Sequence, residues 1–289
     1  MGASTVFVAL AAFFWGLSGG IGSILMDDSW DASVVSFYRG FVGFLFVLAW
    51  LVLRPHHNGL ANKQLWCWSV IAGLGVAGNF SLYFISIEHG NVAVAATLMY
   101  CAPVFVYLIS FALKLERPTA AKWTAIALVM LGIVLLTELY EIGVSDLTLI
   151  GVGTGLLAGF SYAVFIFGFK YAAPHGSPQA ILSIAFAVLA IILFIPSDNE
   201  QTISVLGTSE WPLFLTLGIL GAGLSFVLYI IGLKHTLPAL AAMVAMVEPV
   251  TATLFGVLAL GEGLGGIQII GMVLILATVT TLSVISNKA

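Results

Sequence analysis

Residues 74–116 read LGVAGNFSLYFISIEHGNVAVAATLMYCAPVFVYLISFALKLE, and residues 220–262 read LGAGLSFVLYIIGLKHTLPALAAMVAMVEPVTATLFGVLALGE. The two stretches align without a gap at a shift of 146 residues. Their identities fall on residues that apolar composition does not supply by itself: Gly75 with Gly221, Phe80 with Phe226, Tyr83 with Tyr229, His89 with His235, Ala96 with Ala242, Pro103 with Pro249 and Glu116 with Glu262. A shift of 147 extends the match outward, pairing Phe13 with Phe160 and Trp15 with Tyr162. Chance self-alignment of low-complexity apolar sequence would match Leu, Ala and Val, not Pro, His, Tyr and Glu, so the chain is a duplication.

Each copy is built for lipid. Of the 289 residues, 61% are hydrophobic and 8% charged, and the mean hydropathy is +1.14. Soluble domains run near 45–50% apolar and about 25% charged. A lipid interior offers the backbone no hydrogen-bond partners, which restricts spanning segments to helices or closed barrels. The apolar runs are continuous rather than alternating, which selects helices. Runs of membrane-spanning length are predicted near Ser4–Leu25, Ser33–Leu53, Trp66–Ile87, Val92–Leu113 and Ala120–Thr137, then near Leu149–Phe169, Gln179–Ile195, Trp211–Leu233, Pro238–Leu260 and Gly265–Ile285. The expected fold is therefore all-α and integral to the membrane, with ten transmembrane helices in two five-helix repeats, 1–141 and 142–289.

The charges orient it. Arg54, Lys63, Lys114, Arg117, Lys122, Lys170, Lys234 and Lys288 all fall in loops on one side. The opposite loops hold acids: Asp27, Asp28, Asp31, Glu88, Glu141, Asp146, Asp198, Glu200, Glu210 and Glu262. The positive-inside rule then puts both termini in the cytoplasm, in a multi-pass inner or plasma membrane protein. Five crossings per copy is an odd number, so the second copy enters the bilayer upside down. Such inverted repeats are typical of secondary transporters, with a site near the midplane between the halves. Trp30, Trp50, Trp66, Trp68, Trp123 and Trp211 lie at or near span ends, as interfacial anchors should. The N-terminus lacks the basic stretch and cleavage site of a signal peptide, so the first span is expected to stay. The Met1-Gly2 start lacks the Ser or Thr at position 6 that myristoylation expects.

These residues resemble the drug/metabolite transporter superfamily in its EamA-type ten-helix branch. The resemblance covers the whole chain. It is carried by Glu248-Pro249-Val250 through Leu260-Gly261-Glu262 to Gly271, by Ala102-Pro103-Val104 through Leu115-Glu116-Arg117, by Arg39, and by Trp15-Gly16. It implies two EamA repeats around a central cavity lined mainly by the first, third, fourth, sixth, eighth and ninth helices. It also implies movement of small organic solutes, since members include exporters of amino acids and other metabolites. Ala102 stands where the second copy has Glu248, so the acid belongs to one repeat only.

Few polar groups lie at membrane depth. Glu248 is the tenth residue of its span, where a charge costs about 2.5–3.5 kcal/mol even on the lenient insertion scale. It is read as a protonatable coupling group or a partner for a substrate amine, against the plainer reading of a protonated carboxyl bonding a neighbouring helix. Pro103 and Pro249 each remove an amide donor, withdrawing bonds from the carbonyls of Met99 and Ala245 and bending two helices at equivalent places. Those bends suit gating or simply shape packing. Arg39 sits about two turns from the outer end of its span, where its stem can snorkel. Pairing with an acid or with helix-end carbonyls is the better reading there, ahead of substrate contact. Trp15, Tyr100, Tyr162 and Tyr229 are mid-span aromatics, and Tyr83 shares a helix face with Asn79 at i and i+4. They are candidates to line a pocket, although such aromatics are usually packing.

Other patterns carry no function. Gly73, Gly75 and Gly78 spell a dinucleotide fingerprint inside a span with no strand before it. Gly151, Gly155 and Gly159 read as a close-packing face. Asn79-Phe80-Ser81 spells a glycosylation acceptor but is expected within the membrane. His56 and His57 are read as a solvated loop pair. Cys67 and Cys101 are read as buried packing residues and not as a disulfide or metal pair. No cofactor, metal or nucleic-acid partner is expected; the expected partners are the bilayer, a small solute, and a proton or counter-solute. No HExxH, paired membrane aspartates or apposed Ser-His arrangement supports an intramembrane enzyme, and no ring of like charges supports a channel. The leading expectation is an exporter of small metabolites such as amino acids, working by alternating access. Multidrug or organic-cation efflux is the alternative.

Overall fold

The computed structural model describes residues 2–55, 58–143 and 147–286. The expectations for His56, His57, Asp146 and Lys288 therefore lie outside the described residues, which form helices and loops with no strand among them. Eight helical segments are long and apolar enough to cross a membrane. The first half supplies α1 (Ala3–Asp27), α2 (Ala32–Leu53), α3 (Lys63–Glu88) and a fourth segment divided into α4 (Val92–Met99) and α5 (Ala102–Ala112). After the shorter α6 (Ala120–Leu136) come α7 (Leu149–Ala172) and another short apolar helix, α8 (Pro178–Phe194). A one-and-a-half-turn helix, α9 (Asn199–Ser204), precedes α10 (Trp211–Gly218) and α11 (Ser225–Lys234), which a π-helical stretch at Ile219–Leu224 joins. The last two segments are α12 (Pro238–Ala245) with α13 (Val247–Phe255), then α14 (Gly266–Ser286).

Helix starts follow local chemistry. The side chains of Asn62, Asn91, Thr119, Thr148, Ser177 and Asp198 accept hydrogen bonds from amide groups of the first turns they precede, satisfying donors that lipid would leave bare. Many large apolar side chains face outward, among them Leu53, Leu149 and Leu258, each at least 80% exposed. In water such a surface would aggregate, and in a bilayer it is the solvent-facing side. The chain is a multi-pass membrane protein.

The duplication reappears in the packing. Helix α3 lies along α7, while the equivalent α10–α11 segment lies along α1. Similarly α4 and α5 pack on α7, and α12 and α13 pack on α1. The exchange holds at residue level. A Cβ on Gly75 would come 2.6 Å from the Phe165 amide nitrogen, and one on Gly221 would come 2.5 Å from the Ser18 side chain. Positions 75 and 221 are one repeat apart, and so are 18 and 165. The close-packing reading of helix α7 is observed: Gly155 abuts Ser86 and Leu98, and Gly159 abuts the carbonyls of Leu98 and Met99. One packing expectation needs correcting. Cys67 is exposed on the outer surface, and only Cys101 is partly buried; both are free thiols. Apolar composition around Cys67 marked membrane depth but not which side of α3 the residue would occupy.

Candidate functional site

Two of the membrane segments are interrupted at equivalent places. Tyr100 and Cys101 separate α4 from α5, and Met246, one repeat from Tyr100, separates α12 from α13. The turn residues have ψ close to zero, 3° at both Tyr100 and Met246. Local i→i+3 bonds replace the helical ladder there, Val104 N–H donating to the Cys101 carbonyl at 2.9 Å and Met246 N–H to the Met243 carbonyl at 3.1 Å. The cause lies in sequence. Pro103 and Pro249 bring no amide hydrogen, and each sits in the first turn of the following half-helix, where none is missed. Irregular backbone at this depth is tolerated only when buried in protein or lining a cavity.

Glu248 occupies the first turn of α13. Its carboxyl thus sits at the positive end of a half-helix dipole, with the Tyr162 hydroxyl of α7 donating to Oε2 at 3.4 Å. Helix α1 closes over the same point because residue 16 is glycine: a Cβ there would lie 2.5 Å from the Glu248 carbonyl oxygen and 2.6 Å from the Thr251 side chain. Glu248 and Val247 are half-buried, while Ala245, Met246, Pro249 and Val250 around them are buried.

Arg39 faces Glu248 from α2. Its Nε and Nη2 donate to the Gly221 carbonyl, both at 3.3 Å, in the π-helical stretch of the eighth segment, where the widened turn leaves carbonyls to be claimed. The guanidinium carbon stands 4.9 Å from the Phe80 ring centroid, a cation–π distance. Arg39, Tyr83, Tyr100 and Tyr162 all lie within electrostatic reach of Glu248. Yet the ion pair closer than 4.0 Å among the described residues is Lys122 with Glu116, not Arg39 with Glu248.

An aromatic cluster forms the floor. The Trp15 ring centroid is 4.9 Å from both Tyr229 and Phe226 and 6.3 Å from Tyr162, which in turn is 4.4 Å from Phe165. The structure thus brings Trp15, Tyr83, Tyr100, Tyr162, Tyr229, Arg39 and Glu248 into one region, with Pro103 and Pro249 buried at the helix breaks beside it. Asn79 is placed elsewhere: its amide donates to the Ala158 carbonyl at 3.0 Å, inside the α3–α7 contact. Phe80, Phe165 and Phe226 were not among the expected site residues, although the Phe80–Phe226 identity across the repeat was a usable signal, and Gly16 entered only with Trp15 as part of the resemblance.

Two other features complete the polar inventory. At the acid-bearing end a cavity of about 440 Å³ is lined by Asp28, Ser29, Trp30, Gln201, Ser204 and Glu210. The Ser209 hydroxyl donates to Glu210 and holds its carboxyl below the usual carboxylate range. At the other end Lys170 donates to the carbonyls of Leu233, Lys234 and Thr236 at 2.8, 3.1 and 2.8 Å, tying α7 to the end of α11. No group of three or more His, Cys, Asp or Glu side chains able to hold a metal occurs among the described residues.

The sequence model of the EamA-like transporter family matches residues 3–138 and again 149–284. An uncharacterized transporter of Archaeoglobus fulgidus is 29% identical over 265 residues, covering 91% of each chain. The uncharacterized transporter YwfM of Bacillus subtilis is 26% identical over 98% of this chain and 95% of its own. The threonine/homoserine exporter RhtA of Salmonella typhimurium is 29% identical over 71% of this chain and 67% of its own. A solved crystal structure with 17% identity shares the fold at a TM-score of 0.76, covering 100% of this chain and 99% of that one.

Proposed function

The chain belongs to the EamA-like transporter family, whose pattern it carries once in each half, and on that premise we propose that it is a secondary carrier exporting small metabolites, amino acids foremost, by alternating access. The single observation that carries the reading is Glu248: a half-buried carboxyl at the head of a broken helix, hydrogen-bonded to Tyr162 of the opposite packing group and facing an arginine it does not touch. Charged groups at membrane depth mark solute and ion pathways. Broken helices whose N-termini point at the site are the recurrent way carriers bind at the midplane.

The proposed arrangement has ten crossings, the eight long segments with α6 and α8, in inverted repeats spanning 1–141 and 142–289. The exchange of helix partners between halves supports it. The clustering of basic loop residues opposite the acidic ones supports cytoplasmic termini in an inner membrane. The family name and the names of its relatives support a carrier rather than an enzyme, and RhtA's name supports amino acids as cargo. Proton coupling is assigned to Glu248, which would release its proton as a substrate amine arrives. The aromatic floor and single acid equally suit an organic cation, and this is the second reading.

Counterflow in proteoliposomes separates them. Preloaded unlabelled amino acid should accelerate uptake of the labelled one, which a channel cannot do. Strict preference for amino acids over hydrophobic cations is the expected result, and broad cation exchange would move the assignment to multidrug efflux.

A further inference from the structure

Arg39 is committed to the protein by only part of its donor set. Nε and Nη2 share the Gly221 carbonyl, and the Phe80 ring supports the guanidinium from the side. Nη1 and the second Nη2 hydrogen have no hydrogen-bond partner among the described residues. Glu248 is in the same condition: Oε2 accepts from Tyr162, while Oε1 has no partner. The side-chain atoms that are both unpartnered and sealed from water include Trp15 Nε1 and Tyr229 Oη, but neither Arg39 Nη1 nor Glu248 Oε1. Neither open atom is therefore completely sealed by protein.

Opposite charges at membrane depth should collapse onto one another, because leaving either uncompensated is costly. Here they are tethered apart. Arg39 belongs to the first half and is held by the second, through the Gly221 carbonyl. Glu248 belongs to the second half and is fixed at the α1 contact through Gly16 and at α7 through Tyr162. A free cation entering between them meets Arg39, and a free anion meets Glu248. A solute carrying both charges in one small framework satisfies each pole. Arginine's planar fork has the geometry for two parallel bonds to a carboxylate.

We infer that Arg39 is the carboxylate anchor of a zwitterion site whose ammonium pole is Glu248, so that the cargo class is α-amino acids with a free carboxylate. The inference rests on the carrier reading. It assigns Arg39 a substrate contact in addition to its grip on the eighth segment, and it excludes simple amines and organic cations as good substrates.

The test is counterflow in proteoliposomes containing the full chain. The probes are the twenty common amino acids, their α-amides and the corresponding decarboxylated amines. The acids are expected to show KM values at least tenfold below the amides and amines. Arg39→Lys should raise KM for acids about tenfold with little change in maximal rate, since the charge stays and the fork is lost. Arg39→Met, checked for monodispersity in detergent, should erase the preference for acid over amide. Should Arg39→Met aggregate, Arg39→Lys alone decides, by whether KM rises for acids and not for amines. The anchor is overturned if folded Arg39→Met keeps the preference, if Arg39→Lys leaves KM for acids unchanged, or if the wild type moves amides and amines as readily as acids. In that last case the carrier reading survives. Absence of flux for every compound overturns the carrier reading itself and the anchor with it.

Discussion

At Glu248 a bare charge would meet an insertion cost of about 2.5–3.5 kcal/mol, against which a half-helix N-terminus and one tyrosine hydroxyl act. If the proton on this carboxyl couples transport to a gradient, Glu248→Gln should abolish accumulation against a gradient yet leave exchange running. Parallel measurements of gradient-driven accumulation and counterflow check this. Survival of both accumulation and its pH dependence would remove Glu248 from coupling. Gly16 is the neighbouring constraint. Gly16→Val places its Cβ within 2.5 Å of a backbone carbonyl, whereas Gly19→Val meets nothing within 4 Å. The first should lower stability by about 1–3 kcal/mol, the usual cost of overpacking, and reduce transport; the second should do neither, as thermal unfolding in detergent will report. Depth singled out Glu248 and repeat register Tyr162, while Arg39 was read from its depth as a group pairing with an acid or with carbonyls, and it does donate to the Gly221 carbonyl. Asn79 was not, because sharing a helix face with Tyr83 does not say which neighbouring backbone a polar group will find, and it found Ala158.

Among elements, the proline breaks were legible and the π-helical stretch was not. A proline inside a continuous apolar run, as at Pro103 and Pro249, crowds the carbonyl four residues earlier and gives it no donor, so the helix breaks there and restarts with the proline in its first turn. Ile219–Leu224 has an unremarkable apolar composition, and its Gly221 carbonyl is taken by Arg39, a partner 182 residues away in sequence. Restoring the amide by Pro249→Ala should let α12 and α13 straighten toward one rod. Turnover in counterflow is then expected to fall about tenfold, equivalent to roughly 1.4 kcal/mol on the conformational barrier, with the Tm unchanged or higher. Unaltered turnover would make the break a packing feature only. The same scale governs Lys170, whose ammonium gathers three carbonyls at the end of α11 and beyond. Lys170→Met leaves them without that donor and should cost about 1.5–3 kcal/mol, typical of hydrogen bonds to a charged group, seen as a lower Tm with substrate preference intact.

For the whole molecule, the decisive arrangement is two equivalent halves each holding the other's polar groups. The all-helical membrane class and the long apolar segments could be read from 289 residues because apolar run length is a local property. Which helices touch could not, since lipid-facing and protein-facing surfaces are equally apolar here, as the outward Cys67 illustrates. The proposed inverted relation makes a sharp demand. In the proposed ten-crossing arrangement, which counts the shorter α6 and α8 as spans, Lys63 opens α3 after two crossings and Glu210 precedes α10 after seven. With an odd number of crossings between them they must face opposite compartments. In a background with Cys67 and Cys101 replaced by serine, Lys63→Cys and Glu210→Cys introduced singly should react with a membrane-impermeant maleimide from opposite sides of oriented vesicles, Glu210→Cys from the periplasmic or external face. Labelling of both from the same face would mean an even number of crossings between them. The halves would then not be antiparallel, and neither the shared midplane site nor alternating access around Glu248 would stand.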